Sequence, residues 1–283
     1  MKLAQLSPIA QSAAKAKAIT GEWDYAGFDQ LLEELIAYDK TMDARVPRQK
    51  KWMIISIVIC FFSFVAMLVM NATLDDNSIG VGIFAAAVAN LVWSIILFRK
   101  CSKQALPEAA LESVHQLARL LRQDLDPKAK IITTIDLSGP TGKKKKPSAQ
   151  PHQRIYFDAW CTMRFRLRDG YTAVVRQIDT FTETTKMTRN ARGKIKRKIK
   201  WKKQCRVTAR IIPPAPIQWG KPPQVDRVWE RFKMVAKRDL SVACLDRWWS
   251  YKKRSEAPKR APSAKDIVGM LFRLCAMRPV EAK

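Results

Sequence analysis

Two stretches stand out from an otherwise mixed sequence. Residues 52–70 and 79–98 contain no charged side chain and are rich in Ile, Val, Phe and Met. Each matches the ~20 residues that a helix rising 1.5 Å per residue needs to cross about 30 Å of hydrocarbon. Neither carries the polar stripe usual for a buried helix of a soluble protein, so the pattern predicts a transmembrane hairpin over residues 52–98. The first long apolar stretch begins only at residue 52, which argues against a secretory leader. Arg45, Arg48, Lys50 and Lys51 precede the first run, Arg99, Lys100 and Lys103 follow the second, and the segment between them holds Asp75 and Asp76 but no cation. Lys and Arg are retained on the cytoplasmic side. The expected location is therefore the plasma (inner) membrane, multi-pass, with both termini cytoplasmic.

Within the second run, Gly82, Ala86 and Asn90 follow an i, i+4 series and predict a helix-packing face. Its partner is the first helix, with Asn90 near the depth of Cys60 and Ser63, or a second copy in a homo-oligomer. Neither run holds an ionisable residue, so an ion path through one copy has no chemical support.

Outside the hairpin the periodicities divide the chain further. Residues 1–51 form a cytoplasmic N-terminal segment whose amphipathic helix, residues 24–44 with Thr20 as cap, places Phe28, Leu31, Leu32, Leu35 and Ile36 on one face. Residues 99–127 are a juxtamembrane helical segment with Leu111, Val114, Leu117, Ala118 and Leu121 at helical spacing. Residues 128–212 read as a basic antiparallel sheet domain. In it, residues 155–168 and 171–185 flank Asp169-Gly170, a dipeptide suited to a two-residue hairpin turn. That turn sets Phe165 opposite Val174, Cys161 opposite Ile178 and Arg176 opposite Met163. Alternation puts Ile155, Phe157, Ala159, Cys161, Met163, Phe165 and Leu167 on one face, and Trp160, Arg164, Arg166 and Arg168 on the other. Residues 213–224 are a Pro-rich linker around Trp219. Residues 225–283 are a C-terminal helical region: Val225, Val228, Trp229, Phe232, Val235 and Ala236 recur at helical spacing, and S-x-x-D at Ser263 resembles a capping box. The expected fold class is an α+β membrane protein, a two-helix transmembrane hairpin followed by a cytoplasmic antiparallel β-meander with C-terminal helices.

Charge sharpens this picture. The formal net charge is +27, and residues 99–283 carry 44 basic against 16 acidic side chains. In residues 194–212, Lys194, Lys196, Lys198, Lys200, Lys202, Arg206 and Arg210 alternate with Ile195, Ile199, Trp201, Cys205, Val207, Ala209 and Ile211. Period two gathers the cations on one sheet face, where they repel one another unless solvated or matched by an anionic partner. With Lys143, Lys144, Lys145, Lys146, Arg164, Arg166, Arg168, Lys252, Lys253 and Arg254, they form the expected anionic-surface site.

Catalytic constellations are missing from the pattern. The segment GPTGKKKKPS lacks the spacing of a phosphate-binding loop, and no HExxH or GxSxG occurs. Six scattered cysteines and two histidines suit a reduced compartment and no zinc centre. Cys101, just after the second run, is a candidate for palmitoylation. No enzyme activity, cofactor or metal is expected. The expected partner is anionic inner-leaflet lipid, or an acidic protein if the chain is a membrane-complex scaffold. The alternative is sequence-nonspecific nucleic-acid binding, with Trp160 or Trp201 offering stacking.

Overall fold

The computed structural model describes residues 3–73, 78–139, 148–150, 152–189, 193–225, 229–237, 240–251 and 262–277. Lys143 to Lys146 and Lys252 to Arg254 lie outside the described residues. The fold is α+β, a long antiparallel sheet with helices. It divides into two units, one of residues 1–15 and 34–108, the other of residues 16–33 and 109–283.

The first unit is built on long helices. Helix α1 (Pro8–Ala16) buries Ala10, Ala13 and Ala14, and the Ser7 N–H donates to Glu34 Oε2 over 2.9 Å. Helix α2 (Tyr25–Thr73) runs without a break through Pro47, and α3 (Ser78–Gln104) returns. These are two helices long and apolar enough to cross a membrane. Their apolar side chains point outward: Phe61, Phe62, Val69, Ile79 and Trp93 are all more than half exposed. Such a surface suits lipid tails, whereas water would penalise it.

The seam between the helices differs from the expected one. Gly82 and Ala86 are exposed, and the buried positions of α3 are Gly80, Ala87 and Ser94, spaced by seven. A helix apolar on every side has no moment to reveal which stripe meets its neighbour. Polar contact occurs a turn away from the expected depth. Ser56 and Ser94 hydroxyls share a hydrogen bond of 2.9 Å, and the Asn90 amide donates to Ser56 Oγ over 3.3 Å. At the base of this unit the buried Asp39 carboxylate accepts the Leu106 N–H over 2.7 Å.

The second unit holds an eight-stranded sheet. Its strands are β1 (Ala18–Trp23), β2 (Ile131–Asp136), β3 (Ser148–Gln150), β4 (Gln153–Arg166), β5 (Thr172–Arg189), β6 (Ile195–Ile212), β7 (Glu230–Lys237) and β8 (Leu240–Tyr251). The order is β1-β2-β4-β5-β6-β8-β7, with β3 paired to β4. Three features depart from expectation. Thr20 lies inside β1, and Asp24 caps α2 instead, its Oδ2 accepting the Gly27 N–H over 3.2 Å. The β4–β5 connection is a three-residue loop, Arg168-Asp169-Gly170, closed by Leu167 N–H to Tyr171 O over 2.7 Å with Gly170 at φ 84°. One extra loop residue shifts the register, so Met163 pairs with buried Val175, and Arg176 pairs with Thr162 on the opposite face.

Glu230–Lys237 and Leu240–Tyr251 form the antiparallel strand pair β7–β8 where a helix was expected. Strand β8 buries Val242, Cys244 and Asp246 on one side and Ala243 and Leu245 on the other. Burial on both faces erases the alternation that would mark a strand. The final helix follows expectation: α5 (Ala264–Cys275) starts at a capping box, Ser263 and Asp266 each accepting the other's backbone N–H. Arg273 of α5 forks onto the buried Glu230 carboxylate with two 2.8 Å bonds. The hydrogen bonds to Glu230 raise the guanidinium pKa further, against the opposing effect of burial. Helix α4 (Glu108–Leu121) buries Leu111, Val114, Leu117, Ala118 and Leu121, and ties to α2 by His115 Nε2 to Asp29 Oδ1 at 2.8 Å.

Two predictions follow from these packings. Replacing Ala87 by Leu in the seam should lower hairpin stability by about 1–3 kcal/mol through overpacking, and Gly82→Leu should leave unfolding in detergent unchanged. A fragment beginning at residue 104 lacks β1, Phe28, Leu31 and Leu32, all parts of the second unit. It should aggregate or melt well below a version that restores residues 16–33 through a short linker, as read by size exclusion and circular dichroism.

Candidate anionic-surface interface

Strand pairing decides which cations share a face. Across β4, β5, β6, β8 and β7, one row of Cα partners reads Arg164, Val174, Arg210, Cys244 and Lys233. The next reads Thr162, Arg176, Thr208, Asp246 and Arg231, and a third reads Ile178, Arg206 and Trp248. Partner residues in a ladder point to the same side, so Arg164, Arg176, Arg206, Arg210, Arg231 and Lys233 lie on one outer face. The expected residues Arg164, Arg166, Arg206 and Arg210 are thus brought together from two strands. Arg176, Arg231 and Lys233 join them; their membership depends on the register and on the unexpected β7. Lys196, Lys198, Lys200 and Lys202 continue the same face along β6, all exposed. Lys194 precedes the strand, and Arg168 sits in the hairpin loop with its Nε donating to Leu125 O over 3.3 Å.

A β-bulge at Ala159 and Trp160 makes this segregation possible. Before it, Tyr156 and Asp158 are buried and Phe157 is exposed; after it, Cys161, Met163 and Phe165 are buried. One inserted residue reverses the phase of the strand. Trp160, within the bulge, is buried at 9% exposure, and Trp201 stacks on Tyr156 with ring centroids 6.0 Å apart. Neither tryptophan is presented on the outer face.

Asp246 is the acid within these rows, and it is buried at 1% exposure. Thr208 donates to its Oδ1 over 2.6 Å, Arg206 to its Oδ2 over 2.7 Å, and Lys233 Nζ stands 3.5 Å away. Burial alone would raise its pKa. The Thr208 and Arg206 hydrogen bonds and the Arg206 and Lys233 charges outweigh it, so the carboxyl lies below the usual range. Arg206 also covers the Trp248 ring, 5.5 Å from its centroid. A fixed anion under the centre of the face holds two cations in place and leaves Arg164, Arg176 and Arg210 exposed to solvent.

The inner face carries a second polar group. Asp158 and Asp179 are Cα partners and both are buried, with Lys203 Nζ 2.7 Å from Asp179 Oδ2. Burial, followed by the Asp179 charge and hydrogen bond, pushes the Cys205 thiol well above its ordinary value. Burial pushes Cys161 up to about 12 and raises Cys244. These thiols are inert core groups. Asp29, Glu33 and His115 place ligand atoms within 4.8 Å of one another, but Arg119 binds both carboxylates, at 3.5 and 2.5 Å. The arrangement is an ion-pair network of helices α2 and α4.

A cleft of about 550 Å³ beside Tyr25 is lined by Arg122, Lys130, Arg166, Arg168, Asp24 and Asp126. Asp24 already caps the helix end there, and Arg122 covers the Tyr25 ring at 5.2 Å. The chain matches no protein-family model, no curated protein and no solved structure at a significant level.

Asp246→Asn should lower stability by about 2 kcal/mol near neutral pH, as expected for a buried charge-assisted hydrogen bond. The folded pKa is depressed, so this contribution is complete above the unfolded-chain value of about 3.9 and is lost as pH falls through the lower folded value. Thermal unfolding of wild type and variant should therefore converge in acid.

Proposed function

We propose that the chain is a two-span membrane protein whose outer sheet face rests on anionic lipid headgroups on the side of the bilayer that holds both termini. The observation that carries the reading is the gathering of Arg164, Arg176, Arg206, Arg210, Arg231, Lys233 and the β6 lysines on one face around a single buried acid. A tethered domain meets its own membrane at high effective concentration, and each basic residue near an anionic surface contributes about 1 kcal/mol.

The β1–β2 pairing supports the topology. These strands join one sheet, yet both long apolar helices lie between them in the chain. A single crossing would separate paired strands across the bilayer, so the pairing favours two crossings over one, and the flanking cations favour the cytoplasm as the shared side. The contact is non-enzymatic in this reading. It is favoured over nucleic-acid binding because Trp160 is buried and Trp201 is stacked on Tyr156, leaving charge without the stacking platform that single strands use. A scaffold role for an acidic protein uses the same face and the same charge.

The test is acetylation of Lys202 and Lys233 in the full chain, reconstituted in nanodiscs of neutral or anionic lipid. Both lysines should react more slowly in anionic discs, and salt should abolish the difference. Replacing Arg164, Arg176 and Arg210 by Gln should remove about 3 kcal/mol of attraction and most of the protection. Equal rates in the two discs for the wild-type chain contradict the proposal.

A further inference from the structure

Strands β5 and β6 outlast their neighbours. β4 accompanies β5 only as far as the Gln153–Thr184 pair, and β8 accompanies β6 only as far as Lys203–Tyr251. Beyond those points Thr185 still donates its N–H to His152 O over 2.9 Å, and among the described residues Lys186 to Arg189 pair with Ile195 to Lys198 alone. At about 3.3 Å per residue, the result is a ribbon of roughly 13 Å with no third strand on either side among the described residues. An isolated two-stranded ribbon is marginal in water, and this one sets Lys186 directly opposite Lys198.

Its two sides differ chemically. Lys186, Lys196, Lys198 and Lys200 lie on the side that continues the outer sheet face. Met187, Ile195, Ile199 and Arg197 lie on the side that continues the core face, and all four are exposed. Met187 is 63% exposed and Ile195 68%. Elsewhere in the sheet the corresponding positions, Val175, Val207 and Ala209, are fully buried. These exposed apolar side chains, flanked by cations and by no acid from Lys186 to Lys200, match one environment. The boundary between anionic headgroups and acyl chains accepts both at once.

We propose that the β5–β6 ribbon is an interfacial anchor, its lysines in the headgroup layer and Met187, Ile195 and Ile199 entering the acyl boundary of an anionic bilayer. The inference rests on the lipid reading above and adds to it a hydrophobic foothold, because each aliphatic chain gains by leaving water. Charge brings the ribbon to the surface, and the apolar side chains hold it there.

Methionine oxidation reads the position without a label. The full chain, one copy per nanodisc, is treated with dilute hydrogen peroxide, and sulfoxide at Met187 is followed by peptide mass spectrometry, with exposed Met234 of β7 as the internal reference. The expected result is oxidation of Met187 slowed about tenfold or more in anionic relative to neutral discs, Met234 changing little. The triple variant Lys196→Gln, Lys198→Gln, Lys200→Gln should lose the protection, and Ile195→Ser with Ile199→Ser should weaken it. Equal Met187 rates in the two discs, with Lys202 and Lys233 still protected, overturn the anchor and leave the lipid reading intact. Loss of lysine protection as well overturns both. Protection that is equal in neutral and anionic discs, or that appears only with two copies per disc, overturns the anchor in favour of a charge-independent cover or a second chain.

Discussion

The unbroken pairing of β5 with β6 is the constraint on which the rest of the sheet depends. The two strands stay in one register from Thr172–Ile212 to Arg189–Ile195. A slip of a single residue anywhere in that ladder would exchange the faces of everything beyond it, carrying lysines into the core and valines into solvent. The slip that does occur is confined to β4, at Ala159 and Trp160, where it realigns that strand with the faces set by its neighbour.

A sheet face with so many like charges tolerates itself by geometry. Asp246 sits under the densest part, bonded to Thr208 and Arg206, so two of the cations are satisfied from below. The remaining arginines and lysines have long stems and reach water, where a high dielectric weakens repulsion. Acidic groups are kept elsewhere: Asp158 and Asp179 on the inner face, Glu230 beneath Arg273 and Arg247, Asp29 and Glu33 against Arg119. The cationic surface is the residue of that sorting.

Much of this was written in local sequence, and what was not has physical causes. The uncharged runs, the Asp169-Gly170 hairpin, the Ser263 capping box and the alternating lysines of β6 are short-range signals, and each corresponds to an element seen in the fold. Register was lost by one residue because a loop ending in a left-handed Gly170 looks like a two-residue turn in sequence. The burial of Trp160 goes with a bulge that no pattern announces. Strand β8 has two buried faces and so no alternation, and β1 is short and pairs only with residues far down the chain. The seam at Gly80, Ala87 and Ser94 was hidden among equally apolar alternatives.

The position of β1 also bears on how the protein is made. Trp23 and its hydrogen-bond partner Thr133 are 110 residues apart, with both long apolar helices between them. At synthesis rates of about 5–20 residues per second, the first strand waits roughly 5–20 s for a partner while both long apolar helices are made. Until then its backbone is an open edge, prone to pair with foreign strands, and assembly of the sheet becomes a late event; in the two-span reading proposed above, it reports that both helices have already been inserted.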